Sequence, residues 1–185
     1  FKVKMSKTAK FTKEEDALLA SYSNTVSAKG QAVFYLNALI TTVAPIYLFV
    51  KINQIEVADQ WIPLVIAALA AIYAISFASK NFKHVLKQKI VMKRADAVAR
   101  EINRKYADNK KMSTKEKEDR ILYRRNEVAE EESTYLSVFL TNSIFIAILF
   151  IFAFFVLANI SPVFNTLISM VAAAGLVAFL STSKQ

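Results

Sequence analysis

Residues 135–158 read YLSVFLTNSIFIAILFIFAFFVLA, with no charged side chain among them. A helix needs roughly 20 apolar residues to cross ~30 Å of hydrocarbon, so this stretch predicts a transmembrane span. It is the most apolar of four such stretches. Charge-free windows cover residues 31–50 (QAVFYLNALITTVAPIYLFV), 60–79 (QWIPLVIAALAAIYAISFAS), 133–161 and 162–183. One such window would suit the core helix of a soluble protein, but four in 185 residues do not. The reading is an all-α membrane protein with transmembrane helices at 31–50, 61–79, 133–158 and 162–183.

That reading resolves a conflict in the composition. The chain is 55% hydrophobic, yet it carries 24 Lys and Arg against 15 Asp and Glu, a net charge of +9. The two properties coexist because they occupy separate blocks of sequence. Only two Gly and three Pro argue against a turn-rich β fold. The absence of Cys excludes disulfide scaffolds and thiolate chemistry, and a single His, His84, excludes a multi-histidine metal site. No hydrolase, metalloprotease, P-loop or dinucleotide pattern is present. The chain is therefore expected to be no enzyme, with no catalytic, cofactor-binding or metal-ligating residues.

Loop charge sets the expected topology. Residues 1–30 hold six Lys and three acids, and residues 80–132 hold sixteen bases and ten acids. The connection at 51–60 has Lys51 against Glu56 and Asp59, and the turn at 159–161 is uncharged. Positive segments stay cytosolic. Both termini and residues 80–132 are thus assigned to the cytosol, with 51–60 and 159–161 as lumenal turns and 184–185 as a cytosolic end. The first 30 residues are polar, so the first span is expected to serve as an uncleaved signal anchor. Within them Thr12 and Glu15 form a capping box, and Leu18, Leu19, Tyr22 and Val26 follow at helical spacing. This predicts a short amphipathic helix at the membrane surface.

Inside the windows the polar residues are few: Asn37, Thr41, Thr42, Asn142, Ser143, Asn165 and Ser169 are expected to hydrogen-bond between helices. Small residues recur at four-residue spacing, as Ala67/Ala71, Ala70/Ala74/Ala78, Ser169/Ala173 and Ala174/Ala178. These mark the second and fourth spans for close packing. Phe145, Phe150, Phe152, Phe154 and Phe155 give the third span a lipid-facing character. Pro45 is expected to bend the first span. Ser161-Pro162 reads as a helix start, and Trp61 as an interfacial anchor.

Residues 80–132 carry the most information. Phe82, Val85, Val91, Ala95, Val98, Ile102 and Tyr106 form one apolar stripe on a helix continuing from the second span. Ser113 and Glu116 form a capping box for a second helix, with Ile121/Leu122, Val128/Ala129 and Tyr135/Leu136 on its stripe. Heptad spacing on both predicts an antiparallel helical hairpin between spans two and three. Its bases fall into two groups. Lys80, Lys83, Lys87, Lys89, Lys93 and Arg94 abut the membrane and suit anionic lipid. Lys110, Lys111, Lys115, Lys117 and Arg120 lie at the tip, where phosphate contact through a nucleic-acid backbone is the sharper reading and a solvated surface the plainer one. Glu130, Glu131 and Glu132 point around their helix and are expected to be solvated.

Four blocks carry a family resemblance: SAKGQAVFYLNALITTVAPIYL (27–48), KNFKHVLKQKIVMKRADAV (80–98), DNKKMSTKEKEDRILYRRNEVAEEE (108–132) and GLVAFLSTS (175–183). Together with the four-span layout they resemble the gamma subunits of the translocon-associated protein complex, over residues 12–183. The resemblance implies an endoplasmic reticulum membrane protein with alpha, beta and delta partner subunits. It also implies a place beside the Sec protein-conducting channel, with the cytosolic hairpin touching RNA and protein of the large ribosomal subunit. The function so implied is non-enzymatic support of co-translational translocation. The alternative is a membrane-shaping or anionic-lipid-binding structural protein, in which the same bases serve lipid alone.

Overall fold

A computed structural model describes residues 28–106 and 114–183. Among them every regular element is helical. Helix α1 spans Ala28–Ile52, α2 Val57–Lys105, α3 Thr114–Ile151 and α4 Pro162–Thr182, with a π-helical turn at Phe152–Val156 closing α3. Each of the four is long and apolar enough to cross a membrane. The amphipathic helix expected near Thr12, the cap residue Ser113 and the tip bases Lys110 and Lys111 lie outside the described residues.

Helix α2 is the spine. Its 49 residues rise about 73 Å at 1.5 Å each, more than twice the hydrocarbon thickness of ~30 Å. It packs against each of the other three helices. Pairing with α3 is antiparallel, because partner numbers fall as α2 advances. Ser79 meets Thr141, Lys83 and Lys87 meet Glu130, Val91 meets Arg125, and Tyr106 meets Arg120.

The core follows the small residues. Ala67, Ala71, Ile75 and Ala78 of α2 pack with Phe145, Leu149 and Ala153 and with Met170, Ala173, Ala174 and Val177 of α4. Van der Waals fit and interhelical hydrogen bonds, rather than exclusion from water, hold such a bundle in lipid. Of the expected small-residue rows, Ala70 faces outward, so that row meets the core only from Ala74 on and is fully buried at Ala78. Phe145 also departs from its expected lipid-facing place and is fully buried, whereas Phe150, Phe154 and Phe155 are exposed.

One geometric fact explains that difference. The buried residues of α3 run Arg125, Ala129, Ser133, Ser137, Thr141, Phe145, Leu149, Ala153, each four after the last. On α2 the matching row is Ala67, Ala71, Ile75, Ser79, Lys83, Lys87, Val91. Rows of this kind form ridges oblique to the helix axis. The seam is thus built on four-residue steps rather than the expected heptads. Apolar periodicity alone skips it, since near the charged segment every member but Val91 and Ala129 is Ser, Thr, Lys or Arg.

The connections have local causes. After α1 the chain turns at Gln54, whose φ of 50° is left-handed. The Ile55 amide then donates to the Val50 carbonyl at 3.1 Å, and the Ile55 side chain is buried. This is the six-to-one bond of a Schellman ending. Helix α1 runs through Pro45 without interruption, as spans tolerate where side chains and neighbouring helices re-satisfy the freed carbonyl. In the π turn the Leu157 amide donates to the Phe152 carbonyl at 2.8 Å. The side-chain amide of Asn165 in α4 donates to the Ala153 carbonyl at 3.0 Å. Pro162 stands in the first turn of α4 as expected, but the Ser161 hydroxyl makes no capping bond.

Candidate functional site

Beyond the charge-free windows, α2 and α3 continue side by side as two charged arms. At their base lies a buried ionic cluster. Lys83 and Lys87 occupy the packing row of α2 and are only 3% and 4% exposed. Both ammonium groups donate to Glu130 of α3, Lys83 to Oε1 and Lys87 to Oε2 at 2.8 Å. Lys83 also lies over the Phe34 ring of α1, 5.6 Å from its centroid. Burial works to raise the Glu130 carboxyl, but hydrogen bonds from the two lysines and their charge outweigh it and hold the group below its ordinary value. One turn further, the buried Arg125 donates from Nε to the Val91 carbonyl at 3.1 Å. Three cations thus gather at one junction beside the Glu130 carboxylate, a costly arrangement unless the hydrogen bonds are well made.

The six membrane-proximal bases therefore differ in what they can offer. Lys83 and Lys87 are turned inward on Glu130. Lys80 donates to the Tyr35 hydroxyl at 3.4 Å and lies 4.7 Å from that ring's centroid, a cation–π contact. Arg94 forms a two-point pair with Glu132, Nη2 to Oε1 at 2.8 Å and Nε to Oε2 at 3.1 Å. Lys89 and Lys93 are exposed. The acidic run is accordingly split. Glu130 and Glu132 are ion-paired and only Glu131 is fully given to solvent, a departure from the expected solvated trio.

At the far end the described residues begin again at Thr114, one residue after the expected cap. Lys115 lies in the first turn of α3, and Lys117 is half-exposed. Arg120 is exposed but engaged. It donates to the Tyr106 hydroxyl at 2.8 Å and to Glu116 at 3.1 Å, and its guanidinium stands 5.1 Å from the Tyr106 centroid. The Glu116 carboxylate thus accepts from Arg120 at the start of α3. Periodicity marks Tyr106 as a stripe residue but gives no sign of its bond to Arg120. Glu130 and Arg125 escape sequence reasoning because a charge on a packing row carries no apolar signal. Among the described residues no three His, Asp or Glu side chains lie close enough to share a metal ion.

Four apolar helices, two of them prolonged into a charged antiparallel pair, define a multi-pass helical membrane protein. The class narrows on comparison with known proteins. The chain belongs to the translocon-associated protein gamma subunit family (TRAP-gamma), whose model matches residues 14–183. A translocon-associated protein subunit gamma of Dictyostelium discoideum is similar, 29% identical over 164 residues that cover 89% of this chain and 93% of the relative. Members of this family are accessory subunits of a multi-subunit complex, and none is a known enzyme.

Proposed function

We propose that the chain is a non-enzymatic accessory subunit of the endoplasmic reticulum translocon. Its four spans hold the alpha, beta and delta partner subunits beside the Sec channel. Its arms stand in the cytosol with both termini, and their tip binds the large ribosomal subunit during co-translational translocation. Lys110, Lys111, Lys115, Lys117 and Arg120 meet ribosomal RNA phosphates and protein there. Lys80, Lys89, Lys93 and Arg94 face the lipid surface, and Lys83 and Lys87 act through their cluster with Glu130.

The observation that carries this reading is the reach of the arms. Helix α2 continues from Lys80 to Lys105 beyond its charge-free window, about 40 Å at 1.5 Å per residue, and about 17 Å of that lies past Arg94, whose partner Glu132 borders the third window. That exceeds the depth over which a membrane surface charge is felt, which fades within a Debye length of about 8 Å. Bases at such a distance serve a soluble polyanion better than lipid. Sixteen bases against ten acids over residues 80–132 also favour the cytosolic side. The test is a pull-down of the full chain from detergent-solubilised endoplasmic reticulum membranes. Recovery of three further membrane subunits, the channel and ribosomes is expected. Recovery of the chain alone would overturn the reading.

A further inference from the structure

Between the arms lies a cleft of about 780 Å³. Its upper wall carries Lys93, Arg94 and Glu132, and its lower wall Tyr135, Leu136 and Phe139. Residue 133 opens the third charge-free window, so Glu132 and the Arg94 bonded to it stand at the edge of that window, although the second window closes at residue 79, and the lower wall forms the first two turns inside the third. Arg94 and Glu132 neutralise one another. Lys93 is exposed and has no ion-pair partner among the described residues. The cleft therefore presents one net positive charge. Below it Tyr135 and Phe139 are 76% and 68% exposed, and Phe139, three residues after Leu136 and four after Tyr135, shares a helix face with both.

We propose that this cleft holds a phospholipid of net charge −1. Its phosphate sits at Lys93 and Arg94, and its acyl chains lie along Tyr135, Leu136 and Phe139. The argument is complementarity of two kinds at one place. A single net cation matches a single net anion, and an apolar wall directly beneath it matches the tails. A soluble anion would leave the aromatic wall uncovered. A neighbouring apolar helix would leave Lys93 without a counter-charge in a poorly hydrated site, which is costly. Anionic lipid is concentrated in the cytosolic leaflet, where basic side chains near the surface bind it.

The full chain, reconstituted in phosphatidylcholine vesicles, tests this with trace spin-labelled phosphatidylinositol or spin-labelled phosphatidylcholine as probe. The motionally restricted fraction reports association. The wild type should prefer the anionic probe about fivefold. Lys93→Ala should abolish the preference, while Arg100→Ala, an exposed base outside the cleft, should retain it. No preference in the wild type, or an equal reduction in both variants, would overturn the assignment. In native membranes, a benzophenone side chain replacing Phe139 should give a phospholipid adduct on irradiation. An adduct to a second polypeptide instead would also overturn it.

Discussion

Asn37 of α1 and Asn142 of α3 exchange reciprocal hydrogen bonds, Nδ2 of each donating to Oδ1 of the other at 3.0 and 2.9 Å. Thr41 adds a third bond to the same Asn142 oxygen at 3.2 Å. Both asparagines lie inside charge-free windows, where an unpaired amide has no water to turn to. The pair fixes the rotation of α1 against α3, which otherwise touch little. A double-mutant cycle with Asn37→Ala and Asn142→Ala should give a coupling of about 0.6–1.7 kcal/mol. Unfolding of the full chain in mild detergent reads it.

The buried cluster makes a larger prediction. Glu130→Gln keeps the shape but leaves Lys83 and Lys87 buried without their anion. Removing one partner of a buried ion pair costs about 3 kcal/mol, at the lower end of its range here because Glu130 retains some solvent contact. Glu131→Gln, one residue on and exposed, should change stability by less than about 0.5 kcal/mol. Thermal unfolding in detergent distinguishes the two.

Acid should act through the same carboxylate. Burial raises the Glu130 pKa, but the lysine hydrogen bonds and charges depress it further, so the folded value lies below the unfolded one. A depressed carboxylate contributes its full stability above the unfolded pKa and loses it as pH falls through the folded one. Stability should hold from neutrality down to near the ordinary value of 4.5 and then decline. Glu130→Gln should show a shallower decline over the same range.

Much of this molecule is legible in its sequence, and the illegible parts share a cause. Missing charge locates the four long helices, because hydrocarbon tolerates few ions. The polar residues in the windows read as interhelical partners, and Asn37, Thr41, Asn142 and Asn165 are that. The seam at the base of the arms is hidden because Lys83, Lys87 and Arg125 stand where a pattern reader looks for Leu or Val. Their long apolar stems pack while their heads find Glu130 and the Val91 carbonyl. Phe145 misleads for a related reason. Its composition matches that of its lipid-facing neighbours, and only the four-residue row, visible once Ser133, Ser137 and Thr141 are counted in it, turns it inward.

The turn after α1 offers a stabilising substitution. Gln54 holds a left-handed conformation that a side chain disfavours. Gly at this Schellman position carries no such penalty, although it loses more entropy on folding. Gln54→Gly should therefore gain about 0.5–1 kcal/mol, and the β-branched Gln54→Val should lose at least as much. Melting temperatures of the two variants should move in opposite directions.

The central claim is that the arm tip binds the ribosome through phosphate contacts. Co-sedimentation of the full chain with ribosomes, measured across a salt series, tests it most directly. The comparison is with a variant in which Lys110, Lys111, Lys115, Lys117 and Arg120 are all replaced by Glu. Wild-type binding should fall steeply as salt rises. The variant should bind more weakly, with a salt dependence flatter by about one counterion for each phosphate that no longer meets a base. Equal binding by both proteins at every salt concentration would contradict the claim.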